Sequence, residues 1–213
     1  MATAYLSRTA GTPTNSKKNT LSVWVKRSAI STGTFFGGGS DANNMTFINF
    51  DTNERIFIQS STSGSNTLVL TTNRKFRDPS AWMHVVVTTD TTLGTAGDRI
   101  KLYVNGVRET SFSSSTNPDQ NQNSRWQTAS LTLNLGERGG GAQFFDGYMS
   151  EVVMIDGSAL APTSFGEFES DTGIWQPIDV SDLTFGDNGF YLQYRESGTS
   201  ANSSGLGADT SGN

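Results

Sequence analysis

Hydrophobic and polar residues alternate along short stretches of this chain, and a period of two predicts β-strands. The clearest case is the alternating stretch at residues 99–105, which reverses at Asn105-Gly106 and follows a buried-looking strand at residues 82–89. Asn-Gly suits a type I′ turn, so these residues predict a hairpin that continues into a strand at 107–112. Further strands are predicted at residues 21–26, 34–36, 45–50, 55–59, 67–71, 131–135, 148–155 and 189–195.

The spacing of these stretches indicates the class of fold. Roughly ten residues separate successive strands, and Gly, Asn, Asp and Ser fill the gaps, which is typical of an antiparallel jelly-roll β-sandwich. One short helical turn is predicted at residues 162–168, where Pro162 begins it or Thr163 and Ser164 cap it. The polar stretch at 113–127 is predicted to be a long loop, and such loops on a rigid sandwich are natural binding sites.

Composition fits an all-β chain with an aromatic core. The 213 residues include 13 Phe, 5 Tyr and 4 Trp, and 34% of them are hydrophobic. We predict one jelly-roll domain over residues 1–196. Residues 197–213 are rich in Gly, Ser and Asn and are predicted to be a flexible tail or linker, either a plain disordered terminus or a connection to further chain.

Charge and cysteine content exclude several classes of function. The net charge of -5 argues against nucleic acid as a partner, because that affinity depends on clustered Lys and Arg. The absence of cysteine excludes disulfides, thiolate zinc sites and a cysteine nucleophile, and it fits folding in a reducing cytoplasm. The N-terminus lacks a signal-peptide pattern, and no apolar run is long enough to span a bilayer, so we expect neither Sec export nor membrane insertion.

Several segments resemble the laminin G-like, concanavalin A-like jelly rolls. The opening strand of those domains is similar to residues 21–26, and their "W-x-H-V" and "L-Y-V-N-G" segments are similar to residues 82–85 and 102–106. Further similar segments lie at residues 136–138, 144–152 and 158–160. The resemblance implies the same sandwich fold, in domains that mostly bind glycans or other proteins.

A narrower resemblance points to a subgroup found in structural and tail-associated proteins of marine tailed phages. It is carried by residues 156–162, 165–167, 173–177 and 206–213. The implied setting is the surface of a virion, as a tail fibre, appendage or capsid decoration. Such proteins fold in the host cytoplasm without a signal peptide and are freed by lysis. Other virion proteins are then expected partners, and analogy with fibres suggests a homotrimer.

Calcium is the candidate cofactor that the resemblance raises. Its ligands would be oxygens of loop residues, and the candidate ligands are Asp41, Asn43, Asp146 and Asp187. Where the commoner family motif has an acidic residue, this chain has Ser150, which weakens an inherited site. The alternative is that these Asp and Asn residues form Asx-turns between strands.

No arrangement typical of catalysis is present, so we expect a protein that is not an enzyme. Retaining glycosidases need two carboxylates about 5 Å apart, and enzymes of this fold place them on one strand with the spacing E-x-D-x-x-E. Here Val153 occupies the position two residues after Glu151, and the next acid is Asp156. The chain's one histidine, His84, is expected to be a satisfied core residue rather than a base. A carboxylate pair from distant strands stays open as an alternative and would indicate a polysaccharide depolymerase.

Glycan binding requires aromatic rings beside amides and charged groups. The candidate ligand-binding residues are Tyr103, Asn105, Asn121, Asn123, Arg125, Trp126 and Gln127. The other tryptophans, Trp24, Trp82 and Trp175, are assigned to packing. We therefore expect a module that adheres to host or environmental polysaccharide through many weak contacts. The alternative is a structural connector that binds other virion proteins.

Overall fold

The computed structural model describes residues 3–196, 198 and 205–212, with only the backbone at Ser40. The strands are β1 (Leu6–Thr9), β2 (Lys18–Arg27), β3 (Gly33–Asp41), β4 (Asn44–Phe50), β5 (Ile56–Thr62), β6 (Ser65–Thr72), β7 (Met83–Asp90), β8 (Ile100–Val104), β9 (Val107–Arg108), β10 (Phe112–Thr116), β11 (Thr132–Leu135), β12 (Gly147–Asp156), β13 (Gly166–Phe168), β14 (Trp175–Pro177) and β15 (Phe190–Leu192). Short 3-10 turns lie at Ala96–Asp98, Arg125–Gln127 and Pro162–Ser164. No helix in this part of the chain is long and apolar enough to cross a membrane.

The strands form a sandwich of two antiparallel sheets. One is seven-stranded, in the order β1-β11-β3-β4-β5-β6-β10, and the other is six-stranded, in the order β15-β12-β2-β7-β8-β9. A separate small hairpin consists of β13 and β14. The predicted all-β antiparallel sandwich is confirmed.

The main core lies between the two sheets and follows directly from the alternation in the sequence. Leu21, Val23 and Val25 of β2 point inward, and Phe35 and Phe50 meet them from the seven-stranded sheet. Each such side chain, taken out of water, contributes about 1.5–3 kcal/mol to folding. The residues that point away from this core form the outer faces of the two sheets.

A second, smaller core lies on the outer face of the six-stranded sheet. Val86 and Val153 point outward there and pack against residues that follow β12 in the chain, including Phe165, Val180 and Phe185. We call the residues from 162 to 187 that cover this face the cap. The six-stranded sheet is therefore buried on both sides over part of its width, which explains the continuous hydrophobic run in β7.

The Asn105-Gly106 hairpin is confirmed and also positions the cap. Both residues have positive φ, 49° and 77°, as a type I′ turn requires. A Cβ on Gly106 would lie 2.4 Å from a ring carbon of Trp175, so the missing side chain admits that indole. The Asn105 side chain accepts a hydrogen bond from the His84 backbone N–H at 2.8 Å. One turn thus links β7, β8 and the cap.

Each predicted strand overlaps an observed strand, but the chain also forms strands that alternation did not predict. Residues 112–116 form β10 where a loop was predicted beyond residue 112. Phe112 packs against the main core, and the exposed Ser-Ser-Ser-Thr residues after it are held by backbone pairing with β6. The strands β1, β13 and β14 were not predicted because each is only three or four residues long and has a weak pattern of hydrophobic and polar residues. The predicted helical turn is present at Pro162–Ser164 and is shorter than predicted, since β13 begins at Gly166.

Part of the predicted tail contacts the sandwich. The Asp209 carboxylate accepts a hydrogen bond from the Tyr191 backbone N–H at 3.0 Å, and Asp209 forms an isolated antiparallel bridge with Leu192 of β15. Thr210 donates its backbone N–H to the Tyr191 carbonyl at 2.9 Å. Residues 197, 199–204 and 213 of the predicted tail lie outside the described residues.

Candidate functional site

The predicted ligand residues of the 121–127 stretch do not form one exposed surface. Trp126 is only 1% exposed and packs edge-on against Phe36 at 5.1 Å, so its ring faces the main core. Gln127 is buried beside it. Asn121 and Asn123 are exposed, and Asn123 accepts a hydrogen bond from the Ser16 hydroxyl at 2.8 Å. Arg125 is half-buried.

The other two predicted ligand residues lie on a different part of the molecule. Tyr103 is half-buried against the second core, on the outer face of the six-stranded sheet, whereas Trp126 belongs to the main core between the sheets. Asn105 is in the hairpin turn, where its side-chain oxygen holds the His84 N–H. The structure therefore does not bring Tyr103 and Asn105 together with Trp126.

The four candidate metal ligands lie at three separate places. Asp41 and Asn43 are in the β3–β4 turn, Asp146 directly precedes β12, and Asp187 is in the loop before β15. Asp41 accepts a hydrogen bond from the Asn43 N–H at 2.8 Å, which is the Asx-turn that the sequence offered as the alternative. Among the residues that the structure describes, no three His, Cys, Asp or Glu side chains are grouped to hold a metal ion.

Three side chains, two exposed aromatic residues with a half-buried lysine between them, form a row on the outer face of the six-stranded sheet. Tyr148 of β12 pairs with Lys26 of β2, and Trp82, one residue before β7, continues the β2–β7 register opposite Lys26. Tyr148 is 60% exposed and Trp82 41% exposed. Because neighbouring strands are about 4.8 Å apart, the two aromatic residues stand about 10 Å from each other on either side of Lys26. We call these three residues the aromatic row.

An aromatic cluster lies beside the aromatic row on the same face, two residues farther along β2 and β7. Trp24 stacks on His84 with 4.9 Å between ring centroids and 13° between planes, and the Trp175 ring lies at the edge of the imidazole, nearly parallel to it, with 6.0 Å between centroids. The Trp175 indole N–H donates to Nδ1 of His84 at 2.9 Å, so Nε2 carries the proton and donates to the Ser22 hydroxyl at 2.7 Å. Burial lowers the pKa of His84 to about 3. The prediction of a satisfied core histidine is confirmed.

The assignment of all three tryptophans to packing is wrong for one of them. Trp175 is buried and Trp24 is half-buried, as predicted, but Trp82 lies at an open end of the sheet. The alternation already placed Trp82 on the same face as His84. What the pattern could not tell is that the cap reaches His84 and stops short of covering Trp82 or Tyr148.

The outer face of the seven-stranded sheet carries a cleft of about 160 Å³. It forms where the loop at residues 136–142 folds over β3, and a Cβ on Gly37 would collide with the Glu137 carbonyl there. The buried Glu137 carboxylate holds the loop closed by accepting the Gly141 backbone N–H. The lining residues are Gly39, Asp41, Ala42, Met45, Arg138, Gly139 and Gly140. We call this the Arg138 cleft.

The Arg138 cleft combines an apolar floor with polar walls. The Arg138 guanidinium lies 5.7 Å from the centroid of the Phe47 ring, and Phe47 packs edge-on against Phe57 at 5.5 Å. Within the described residues Arg138 forms no ion pair. The cleft brings Asp41, one of the predicted metal ligands, beside an arginine that the sequence did not single out.

Comparison with known proteins agrees with the observed sandwich of two antiparallel sheets. The family described as the concanavalin A-like lectin/glucanases superfamily, of laminin G type, matches residues 2–163. A native heptameric SAP-like pentraxin from Limulus polyphemus is similar at 18% identity and a TM-score of 0.52, over 74% of this chain and 71% of that chain. No curated protein sequence matches the chain.

Two further solved structures are similar at the same level. Domain 4 of AbnA, an extracellular arabinanase from Geobacillus stearothermophilus in complex with arabinotriose, has 24% identity and a TM-score of 0.50, over 70% of this chain and 65% of that chain. A full-length tailspike protein from an Escherichia coli O157:H7 bacteriophage has 12% identity and a TM-score of 0.50, over 74% of this chain and 21% of that chain. At such identities these likenesses show the fold alone.

Proposed function

Because the chain belongs to the concanavalin A-like lectin/glucanases superfamily, we propose that it is a non-enzymatic glycan-binding module on the surface of a phage particle. The observation that carries the proposal is the aromatic row. Large exposed aromatic side chains are costly to leave on a surface without a partner. Tyr148 and Trp82 together offer the ring faces that the apolar sides of sugars pack against.

The aromatic row binds an extended sugar chain better than a single sugar. Two rings about 10 Å apart contact separate units of a polymer that runs across the strands. Lys26, between them, has three N–H donors for the hydroxyls of the intervening unit. The pair Trp24 and His84 lies two residues farther along β2 and β7 on the same face, so the row adjoins a well-packed part of the sheet. Weak contacts of this kind become useful through many copies.

The proposal of a non-enzymatic role is supported by the state of Glu151, the acid nearest to the row on β12. Its carboxylate accepts the hydroxyl hydrogen of Tyr191, and burial together with this bond raises the pKa of Tyr191 to about 12. A carboxylate tied in this way is poorly placed to act as the second acid of a glycosidase pair. His84, stacked and hydrogen-bonded at both nitrogens, is equally unsuited to act as a base.

The proposed virion setting is supported by the sequence resemblance to tail-associated phage proteins and by the fold shared with the phage tailspike. A connector that binds another virion protein is the second candidate. It is favoured by Phe168 and Ile174, exposed apolar residues at the end of the cap hairpin.

An antibody against the purified chain tests the proposed place on the particle surface. It should label the outside of particles that carry the chain, and labelling only after disruption would exclude a surface role.

The decisive experiment measures binding of the purified chain, displayed in many copies, to a polysaccharide panel. We expect Trp82→Ala and Tyr148→Ala each to weaken binding at least about tenfold, equivalent to about 1.4 kcal/mol. Ile174→Ala removes an equally exposed apolar side chain outside the row and should leave the binding unchanged. The chain should release no reducing ends from any polysaccharide of the panel, because the proposed role involves no hydrolysis.

Three outcomes would contradict the proposal. Release of reducing ends would identify a depolymerase. Equal binding by Trp82→Ala, Tyr148→Ala and the original chain would show that the row is not the site. Absence of binding to every polysaccharide, with capture of a virion protein that Phe168→Ala abolishes, would identify the connector.

A further inference from the structure

The Arg138 cleft has three hydrogen-bonding groups, one guanidinium and two backbone amides, that donate to no residue the structure describes. The guanidinium of Arg138 forms no ion pair within the described residues. The backbone N–H groups of Gly139 and Gly140 donate to no other described residue, whereas the next amide, that of Gly141, is taken by Glu137. Donors of this kind, fixed on one wall of a concave surface, favour a negatively charged group.

The remaining walls of the cleft suit the body of a sugar. Met45 and Ala42 provide apolar contact, and Phe47 lies beneath the guanidinium. Asp41 also lines the cleft, and its carboxylate accepts hydrogen bonds from the Asn43 N–H and the Asn44 amide. A volume of about 160 Å³ is below the 300–1,000 Å³ of sites for drug-sized ligands, so the cleft holds one unit rather than several.

From these contacts we propose that the Arg138 cleft is a second binding site, which takes a single acidic sugar unit. The carboxylate or sulfate group of the sugar lies against the Arg138 fork and the Gly139 and Gly140 amides, and the sugar ring lies against Met45 and Ala42. The inference rests on the proposed function only in taking the ligand to be a glycan. Its residues, its face of the sandwich and its ligand charge all differ from those of the aromatic row.

The buried position of Glu137 explains how such a site exists on an acidic protein. Glu137 neighbours Arg138 in sequence, but its carboxylate points into the loop and binds the Gly141 amide, and it does not line the cleft. The cation of Arg138 is therefore left for a ligand instead of being neutralised by its neighbour. The planar guanidinium also matches two oxygens of one anionic group at once, which a lysine could not do.

Titrations with free monosaccharides, followed by NMR or calorimetry, test the site independently of any polymer. We expect glucuronic acid and glucose 6-sulfate to bind the original chain, and glucose to bind at least about tenfold more weakly, because it lacks the anionic group. A clear preference for one of the two acids shows whether the site takes a carboxylate or a sulfate group. Raising the salt concentration should weaken the acidic ligands and leave glucose unaffected.

Two variants change different parts of the cleft. Arg138→Gln removes the charge, and Ala42→Leu fills the cleft while keeping the arginine; each should weaken glucuronic acid at least about tenfold. Arg138→Lys keeps the charge without the fork, and its affinity for glucuronic acid should lie between that of the original chain and that of Arg138→Gln. Arg77→Gln is the matched control, since Arg77 is an exposed arginine that pairs with Glu54 elsewhere on the surface, and it should leave binding unchanged.

The outcomes separate this site from the aromatic row. Trp82→Ala should leave glucuronic acid binding intact even where it abolishes polysaccharide binding, so failure of one site does not imply failure of the other. Unaltered binding of glucuronic acid by folded Arg138→Gln and Ala42→Leu would overturn the proposal. Equal affinity of the original chain for glucose and glucuronic acid, or binding of neither, would overturn it as well.

Discussion

The two sheets of the sandwich share one core but differ in what lies on their outer faces. The six-stranded sheet is covered by a cap with its own apolar core, and beyond the cap it exposes Trp82 and Tyr148. On the seven-stranded sheet a short loop folds over β3 alone and forms one side of the Arg138 cleft. The inward residues thus set the fold, while the outward residues give each face a different chemistry.

Removing the indole that joins the cap to its sheet should have the largest effect on stability. Trp175→Ala leaves a cavity over His84 and Gly106 and removes the hydrogen bond to Nδ1 of His84. We expect the free energy of unfolding to fall by about 3–5 kcal/mol, measured by urea denaturation. A loss below about 1 kcal/mol would mean that the cap is not coupled to the sheet.

A pair of glycine substitutions isolates the contact between the cap and the hairpin turn. Gly106→Ala introduces a Cβ against the Trp175 ring at a residue with φ of 77°, whereas Gly140→Ala on the other face has φ of 71° and open space around it. Both variants carry the cost of positive φ, about 1–2 kcal/mol. Gly106→Ala should lose about 1–3 kcal/mol more because of overpacking. Equal losses in urea denaturation would show that the indole moves aside freely.

Acid should destabilise the six-stranded side of the molecule through one residue. His84 is neutral when folded, with its pKa lowered to about 3, but takes up a proton below about pH 6.5 when unfolded. The unfolded state therefore binds more protons between these values, and stability falls as pH falls. The loss should reach about 2 kcal/mol at pH 5 relative to pH 7.

The same pH series on His84→Gln is the control for that prediction. Because His84 is the chain's one histidine, its replacement should remove most of the slope between pH 5 and pH 7. An identical slope in both proteins would assign the pH dependence to carboxylates instead.

The smallest effect on stability is expected in the aromatic row itself. Tyr148 is 60% exposed, so Tyr148→Ala should change the free energy of unfolding by less than about 0.5 kcal/mol. Near-neutral stability, combined with the loss of glycan binding proposed above, would separate the role of this face from packing. A loss above about 2 kcal/mol in thermal or urea unfolding would instead make Tyr148 a structural residue.

Local patterns predicted the sandwich because, in most strands, the alternation of hydrophobic and polar residues matches the side chains that are buried and exposed. Leu21, Val23 and Val25 alternate with polar residues, and Asn105-Gly106 has the backbone preference of its turn. The same local view could not predict β10, whose Ser-rich segment is held by backbone pairing with β6. The hydrophobic pattern identifies a strand where one face of side chains is buried, and it fails where most of the strand is exposed polar residues held by backbone hydrogen bonds.

The candidate sites were harder to predict for a different reason. The sequence stretch around Trp126 has the composition of a glycan site, but its ring fills the core under Phe36. The Arg138 cleft joins Asp41 to a loop far along the chain, and that approach depends on Gly37 lacking a side chain. Composition indicates which residues are chemically capable, whereas the exposure of each residue depends on contacts between distant segments.

The contact of Trp175 with His84 has a consequence for how the molecule opens. A hairpin of two three-residue strands has little stability of its own, so the β13–β14 hairpin depends on the sheet beneath it. If it detached, the Nδ1 atom of His84 and the apolar residues under the cap would meet water at once. The cap and the six-stranded sheet therefore form one cooperative unit, and the amide hydrogens of β7 and β14 should exchange with solvent in the same opening event.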